Sequence, residues 1–93
     1  MTLFLAMPVE SKHIHPLTGV EKAFGQAFRQ FRLKQNISQE QVSDVAHCDR
    51  TTVSLIERGL VSPKLETIVR ICRAIAIRPS EVMKGMERSR FYR

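Results

Sequence analysis

Between Ser38 and Gly59 the chain reads SQEQVSDVAHCDRTTVSLIERG, two short helix signatures with only three or four residues between them. Two helices joined by so short a connection and crossing steeply form a compact supersecondary unit. The first helix has a complete start signal: Ser38 is placed to accept from the Gln41 amide, Gln41 to reach back to the Ser38 amide, and Ile37 to pack onto Val42. The second starts at Asp49, a carboxylate suited to an N-cap, with Cys48 and Val53 spaced for a smaller hydrophobic staple. Val53 and Ile56 form its apolar stripe, while Arg50, Thr51, Ser54, Leu55 and Arg58 share the opposite face.

A polar helix face is ordinarily only a solvated surface. Two helices joined this tightly are also the unit whose second member enters a DNA major groove while the first spans the backbone. The dimensions agree, since the groove is about 12 Å wide and a helix with its side chains about 10 to 12 Å across. A structural helical hairpin is the alternative.

The run from Phe24 to Val82 resembles the lambda-repressor-like, Xre-type DNA-binding family. The resemblance is carried by Phe24-Gly25, Phe28, Phe31 and Arg32, then Ser38-Gln39-Glu40, Val42, Ala46, Val53, Ile56-Glu57-Arg58-Gly59, Pro63, Leu65 and the Ile68/Ile71 stripe. DRTTVSLIERG is especially similar to the small controller proteins that regulate restriction-modification operons, although many stand-alone repressors share it. The resemblance implies an all-α fold, a compact bundle of five short helices with the helix-turn-helix at about residues 38–58. It places base-reading residues at Arg50, Thr51, Ser54 and Leu55, a phosphate-binding glutamine at Gln39, and an internal ion pair between Arg32 and Glu57. In such a site Arg50 would hold guanine O6 and N7 with both guanidinium arms, and Thr51 and Leu55 would offer methyl groups to thymine. Phosphate binding or a salt bridge to Asp49 is the alternative for Arg50. Arg58 and Lys64, flanking the loop after the motif, are further phosphate candidates by position, whereas Lys22, Arg70 and Arg73 read as solvated helix faces. Three positions depart from the family pattern: His47 stands where glycine is common, Ser43 where alanine is usual, and Lys64 where a capping serine is frequent.

Ninety-three residues suffice for one small domain, so a separate effector half is not expected. Residues 1–17 read as an irregular or partly ordered arm, 18–85 as the DNA-binding domain and 86–93 as a basic tail. A first helix should start near Thr18, with Glu21 completing a capping box, and end near Gln35, where Asn36 tolerates a left-handed turn. Its core stripe is Phe24, Phe28 and Phe31, helped by Val20 and Ala27, a spacing that suits a buried face better than a base-stacking platform. A fourth helix from about Pro63 or Leu65 to Ile75 buries Leu65, Ile68, Val69, Ile71, Cys72 and Ile75, and a fifth begins at Pro79 with Val82 and Met83 facing inward or toward a partner.

The net charge of +6 suits a polyanionic partner, because each neutralised phosphate releases counterions. The surplus is uneven: residues 20–58 hold six Lys/Arg against five Asp/Glu, residues 59–93 eight against three. Cys48 and Cys72 occupy positions the helical pattern wants apolar and read as small hydrophobes. The three histidines and two cysteines match no zinc-site spacing, so neither metal nor cofactor is expected. No nucleophile, base and orienting acid form a recognisable set, which argues against an enzyme. MTLFLAMPV lacks a basic leader, and no apolar run approaches the roughly 20 residues that span a bilayer, so a cytoplasmic protein is expected. The function these features point to is a sequence-specific transcriptional regulator binding a palindromic operator on double-stranded DNA as a homodimer, with RNA polymerase access as the thing controlled. The alternative from another class is an antitoxin that neutralises a toxin and autoregulates its operon.

Overall fold

The computed structural model describes residues 18–92; the expected arm over residues 1–17 lies outside the described residues. Five helices follow one another: α1 (Gly19–Lys34), α2 (Gln39–Ala46), α3 (Arg50–Glu57), α4 (Leu65–Ala74) and α5 (Pro79–Glu87), with no strand among the described residues. The expected all-α bundle of five short helices is what the described residues form.

The first two helices start where local chemistry places them. Thr18 Oγ1 accepts from the Val20 amide, and Glu21 Oε1 accepts from the Thr18 amide at 2.8 Å. At α2, Ser38 Oγ accepts from the Gln41 amide at 3.0 Å, and Gln41 Oε1 accepts from the Ser38 amide at 2.8 Å. These reciprocal bonds satisfy amides that have no partner inside the helix. Asp49 does occupy the N-cap of α3, but its carboxylate makes no capping bond, so that helix is held by packing instead. Lys64 and Arg78 precede α4 and α5, also without side-chain caps, and Pro79 opens α5 with a preset φ.

The four inter-helix turns share one device. Asn36, His47, Gly59 and Ala76 all take positive φ, between 56° and 73°, just past the ends of α1, α2, α3 and α4. In each case the next amide reaches back five residues, as Ile37 to Arg32, Cys48 to Ser43, Leu60 to Leu55 and Ile77 to Cys72, occupying carbonyls that the helix leaves free. Only Gly59 adopts this conformation without a Cβ penalty. His47 thus takes the left-handed conformation that the expected glycine position calls for, and three residues suffice to join α2 to α3.

One core gathers all five helices. Phe28, Val42, Val53, Ile71, Cys72, Ile75 and Val82 are fully buried, with Ile56 and Phe24 nearly so. Phe24 and Phe28 stack with ring centroids 6.4 Å apart. The sequence pattern overstates the depth of five side chains. Phe31, Ile68 and Val69 are only half-buried, Val20 is exposed in the first turn of α1, and Leu65 is 74% exposed. Val20 and Leu65 lie in the first turns of their helices, where neighbours exist on one side only. Ser43, by contrast, is buried with its hydroxyl donating to the Glu40 carbonyl at 2.8 Å, which satisfies the polar group that replaces alanine.

The chain also closes on itself. After α5 ends at Glu87, a turn brings Phe91 over the start of α1: the Phe91 carbonyl fills the space a Cβ on Gly19 would need, and the Lys22 ammonium lies 4.7 Å from the Phe91 ring centre. Burial pushes the Cys72 thiol up to about 11 and raises Cys48 as well.

Two outcomes follow. Ala76→Gly relieves the left-handed strain and should stabilise the fold by about 1 kcal/mol, visible in thermal unfolding as a rise of several degrees. At pH 8 a disulfide thiol probe should label half-buried Cys48 readily and Cys72 only as fast as the protein unfolds; equal labelling rates would contradict the burial of Cys72.

Candidate nucleic-acid interface

α2 ends at Ala46 and α3 begins at Arg50, so three residues turn the corner between them. Val53 and Ile56 anchor α3 in the core, which leaves Arg50 and Thr51 exposed at its N-terminal end and Ser54 and Leu55 half-exposed beside them. The four residues that the resemblance names as base readers therefore project from one face. Among the described residues Arg50 forms no salt bridge, and Asp49 does not engage it. Its guanidinium is available to a ligand.

The orientation of α3 is held by a buried carboxylate. Glu57, with its side chain 2% exposed, accepts from Arg32 Nε at Oε2 and from Arg32 Nη2 at Oε1, the latter at 2.9 Å. Arg32 spends its remaining arm on the Ile37 carbonyl at 2.8 Å, so the guanidinium also fixes the α1–α2 turn. Gln39 Nε2 donates to Glu57 Oε1 at 3.0 Å, and Arg29 Nη1 approaches the same oxygen at 3.9 Å. Three helices thus meet on one carboxylate. Gly25 makes the approach possible, because a Cβ there would lie 2.7 Å from the Glu57 carbonyl oxygen and closer still to that of Ile56.

The phosphate candidates are divided between two clefts. Gln39 and Arg58 line an open cleft of about 580 Å³ between α1 and α3, together with Ser54, Lys22 and Arg29. Lys64 lines a different one, of about 470 Å³, beside the motif turn and the α3–α4 loop. Lys22 is exposed at the edge of the first cleft, and Arg70 pairs with Glu66 at 2.7 Å on an exposed helix face. Arg29 was not singled out by its sequence context. Its seven-residue spacing from Lys22 puts both on one stripe of α1, but only the packed structure shows that the stripe borders α3. No group of three potential metal ligands occurs among the described residues.

The helix-turn-helix family model matches residues 28–82, which spans α2, α3 and α4 together with the C-terminal part of α1 and the start of α5. The chain belongs to the helix-turn-helix family. Its relatives include the control protein C.BamHI of Bacillus amyloliquefaciens, 39% identical over 61 residues that make up 64% of this chain and 75% of that protein. Among solved structures, the restriction-modification controller protein C.AhdI from Aeromonas hydrophila is 32% identical with a TM-score of 0.64, covering 67% of this chain and 94% of its own. The clp gene regulator ClgR from Corynebacterium glutamicum shares the fold at 21% identity, with a TM-score of 0.72 over 76% of each chain. This member of the family is a DNA-binding regulator of the Xre type. No helix among the described residues is long and apolar enough to cross a membrane.

The buried pair generates a prediction about this family member. Arg32→Ala strands the Glu57 charge and should cost about 3 to 5 kcal/mol in urea unfolding, while Arg32→Met combined with Glu57→Leu should recover most of that loss. A double variant no more stable than Arg32→Ala would show that the pair is not what the single substitution disrupts.

Proposed function

We propose that the protein is a sequence-specific transcriptional regulator that binds a palindromic operator in the cytoplasm as a homodimer, and that its operon encodes a restriction-modification system. The observation that carries the reading is the exposure of Arg50 and Thr51 at the leading end of a helix whose other face is locked into the core. Side chains at that end of a second motif helix meet base edges when the helix lies in the major groove. Arg50 supplies the paired donors that guanine O6 and N7 accept, Thr51 and Leu55 supply methyl contacts for thymine, and Ser54 supplies a hydroxyl. Gln39, Arg58 and Lys64 hold backbone phosphates on either side and set the register.

Occupancy of such a site blocks or recruits RNA polymerase without any chemistry by the protein. The controller relatives, named for control of restriction-modification, support the operon assignment. The homodimer reading is supported by apolar surface: Val45 on α2, Leu60 in the α3–α4 loop and Leu65 at the start of α4 are 61%, 48% and 74% exposed, and a second copy that covered such groups would remove them from water. A two-fold dimer places its two reading helices on successive turns of the same side of the duplex, about 34 Å apart, so the operator mirrors the protein's symmetry.

Selection of bound sites from a random duplex pool should return an inverted repeat, and solution mass should correspond to two chains at the concentrations that bind it. Recovery of unrelated sequences would contradict sequence-specific binding. Arg50→Ala should weaken binding to the selected operator by about 1 to 3 kcal/mol and spare a scrambled duplex; equal losses on both would reassign Arg50 to the backbone.

A further inference from the structure

We propose that the cleft between α1 and α3 is a seat for a DNA phosphodiester, held by Lys22 and Arg29; this rests on the DNA-binding reading above and extends it to residues that neither family resemblance nor local pattern assigns. The cleft is lined by the cations Lys22, Arg29 and Arg58, and Glu57 is the acidic residue in its wall. That carboxylate is already engaged. Its two oxygens take Arg32 and Gln39 as hydrogen-bond donors, so Arg29, 3.9 Å away and 54% exposed, is a cation in surplus at a carboxylate whose hydrogen bonds are met.

Lys22 is in a comparable state. Among the described residues it has no carboxylate partner, and its ammonium rests over the Phe91 ring instead. Its position is fixed by the backbone, because Gly59 closes the end of α3 directly against Lys22; a Cβ on Gly59 would lie 2.6 Å from the Lys22 Cα. Seven residues separate Lys22 from Arg29, about two helical turns, so they stand on one stripe of α1.

The occupant follows from charge and position. A group with unesterified, negatively charged oxygens satisfies both cations, and a guanidinium suits it through its planar fork. Ser54, on the exposed face of α3, lines the same cleft, so an anion seated there lies beside the reading helix. Phosphates bordering the major groove occupy that place when α3 enters it. Such contacts carry no sequence information, and their mark is the release of counterions.

The test measures duplex binding by the full chain as salt is raised, using wild type, Arg29→Gln, and Lys22→Gln combined with Arg29→Gln, on the selected operator and on a scrambled duplex. Each phosphate contact contributes about 0.9 to the slope of log affinity against log salt. The double variant should lower the magnitude of that slope by about 1 to 2 on both duplexes, with the operator-to-scrambled affinity ratio unchanged. Arg29→Gln alone should lower it by about 1, and it decides the matter should the double variant melt early through loss of the Lys22–Phe91 contact. An unchanged slope overturns the proposal, as does a collapse of the affinity ratio at constant slope, which would make the cleft a base-reading element. Wild-type protein that binds both duplexes equally would defeat sequence-specific recognition, yet the slopes on the scrambled duplex would still judge the seat; absence of any duplex binding defeats both.

Discussion

The carboxylate of Glu57 sits where α1, α2 and α3 converge, and the presentation of the proposed reading face depends on it. Arg32 from α1 grips it with two nitrogens, and Gln39 from the first turn of α2 donates to the same group. An isolated charge so deeply buried would be strongly unfavourable; these donors satisfy it. The arrangement contributes less to net stability than to geometry. Hydrophobic packing alone would let α3 roll over Val53 and Ile56, whereas a bidentate pair near its C-terminal end fixes its rotation. The opposite end, with Arg50 and Thr51, is then presented in one orientation.

Close backbone approach is the second requirement. Gly25 lets α1 touch the last residues of α3, and Gly59 lets the chain leave α3 across Lys22. Larger residues at either place would force the helices apart and lengthen the contacts to Glu57. The left-handed residues His47 and Ala76 carry some of the strain of so compact a bundle. Short turns keep eight-residue α2 and α3 packed against each other, an arrangement that neither helix could maintain alone.

Features set by neighbours three or four residues apart were legible in the sequence. The capping boxes at Thr18 and Ser38, the start of α5 at Pro79 and the turn at Asn36 are of this kind, because each is a local hydrogen bond or torsion preference. Periodicity also identifies the buried faces, but it does not say how far along each helix its neighbours extend, so it overstates the depth of Leu65, Val20 and Phe31. Asp49 marked the right boundary without forming the capping bond, since cap position and side-chain rotamer are separate matters. Ala76 gave no warning of its positive φ; neither glycine nor asparagine stands there. The 25-residue separation of Arg32 and Glu57 lies beyond any local pattern, and only family resemblance paired them. Arg29 and Lys22 were hidden for a related reason: a stripe on one helix acquires meaning only when the helix beside it is known.

The most direct measurement of the central claim is amide chemical-shift mapping by NMR as the protein is titrated with the duplex it selects. The largest perturbations should fall on Arg50, Thr51, Ser54 and Leu55 at the leading face of α3, with Gln39 next, while the buried resonances of Ile71, Ile75 and Val82 stay in place. Perturbations centred on the exposed faces of α4 or α5, with α3 unaffected, would contradict the account.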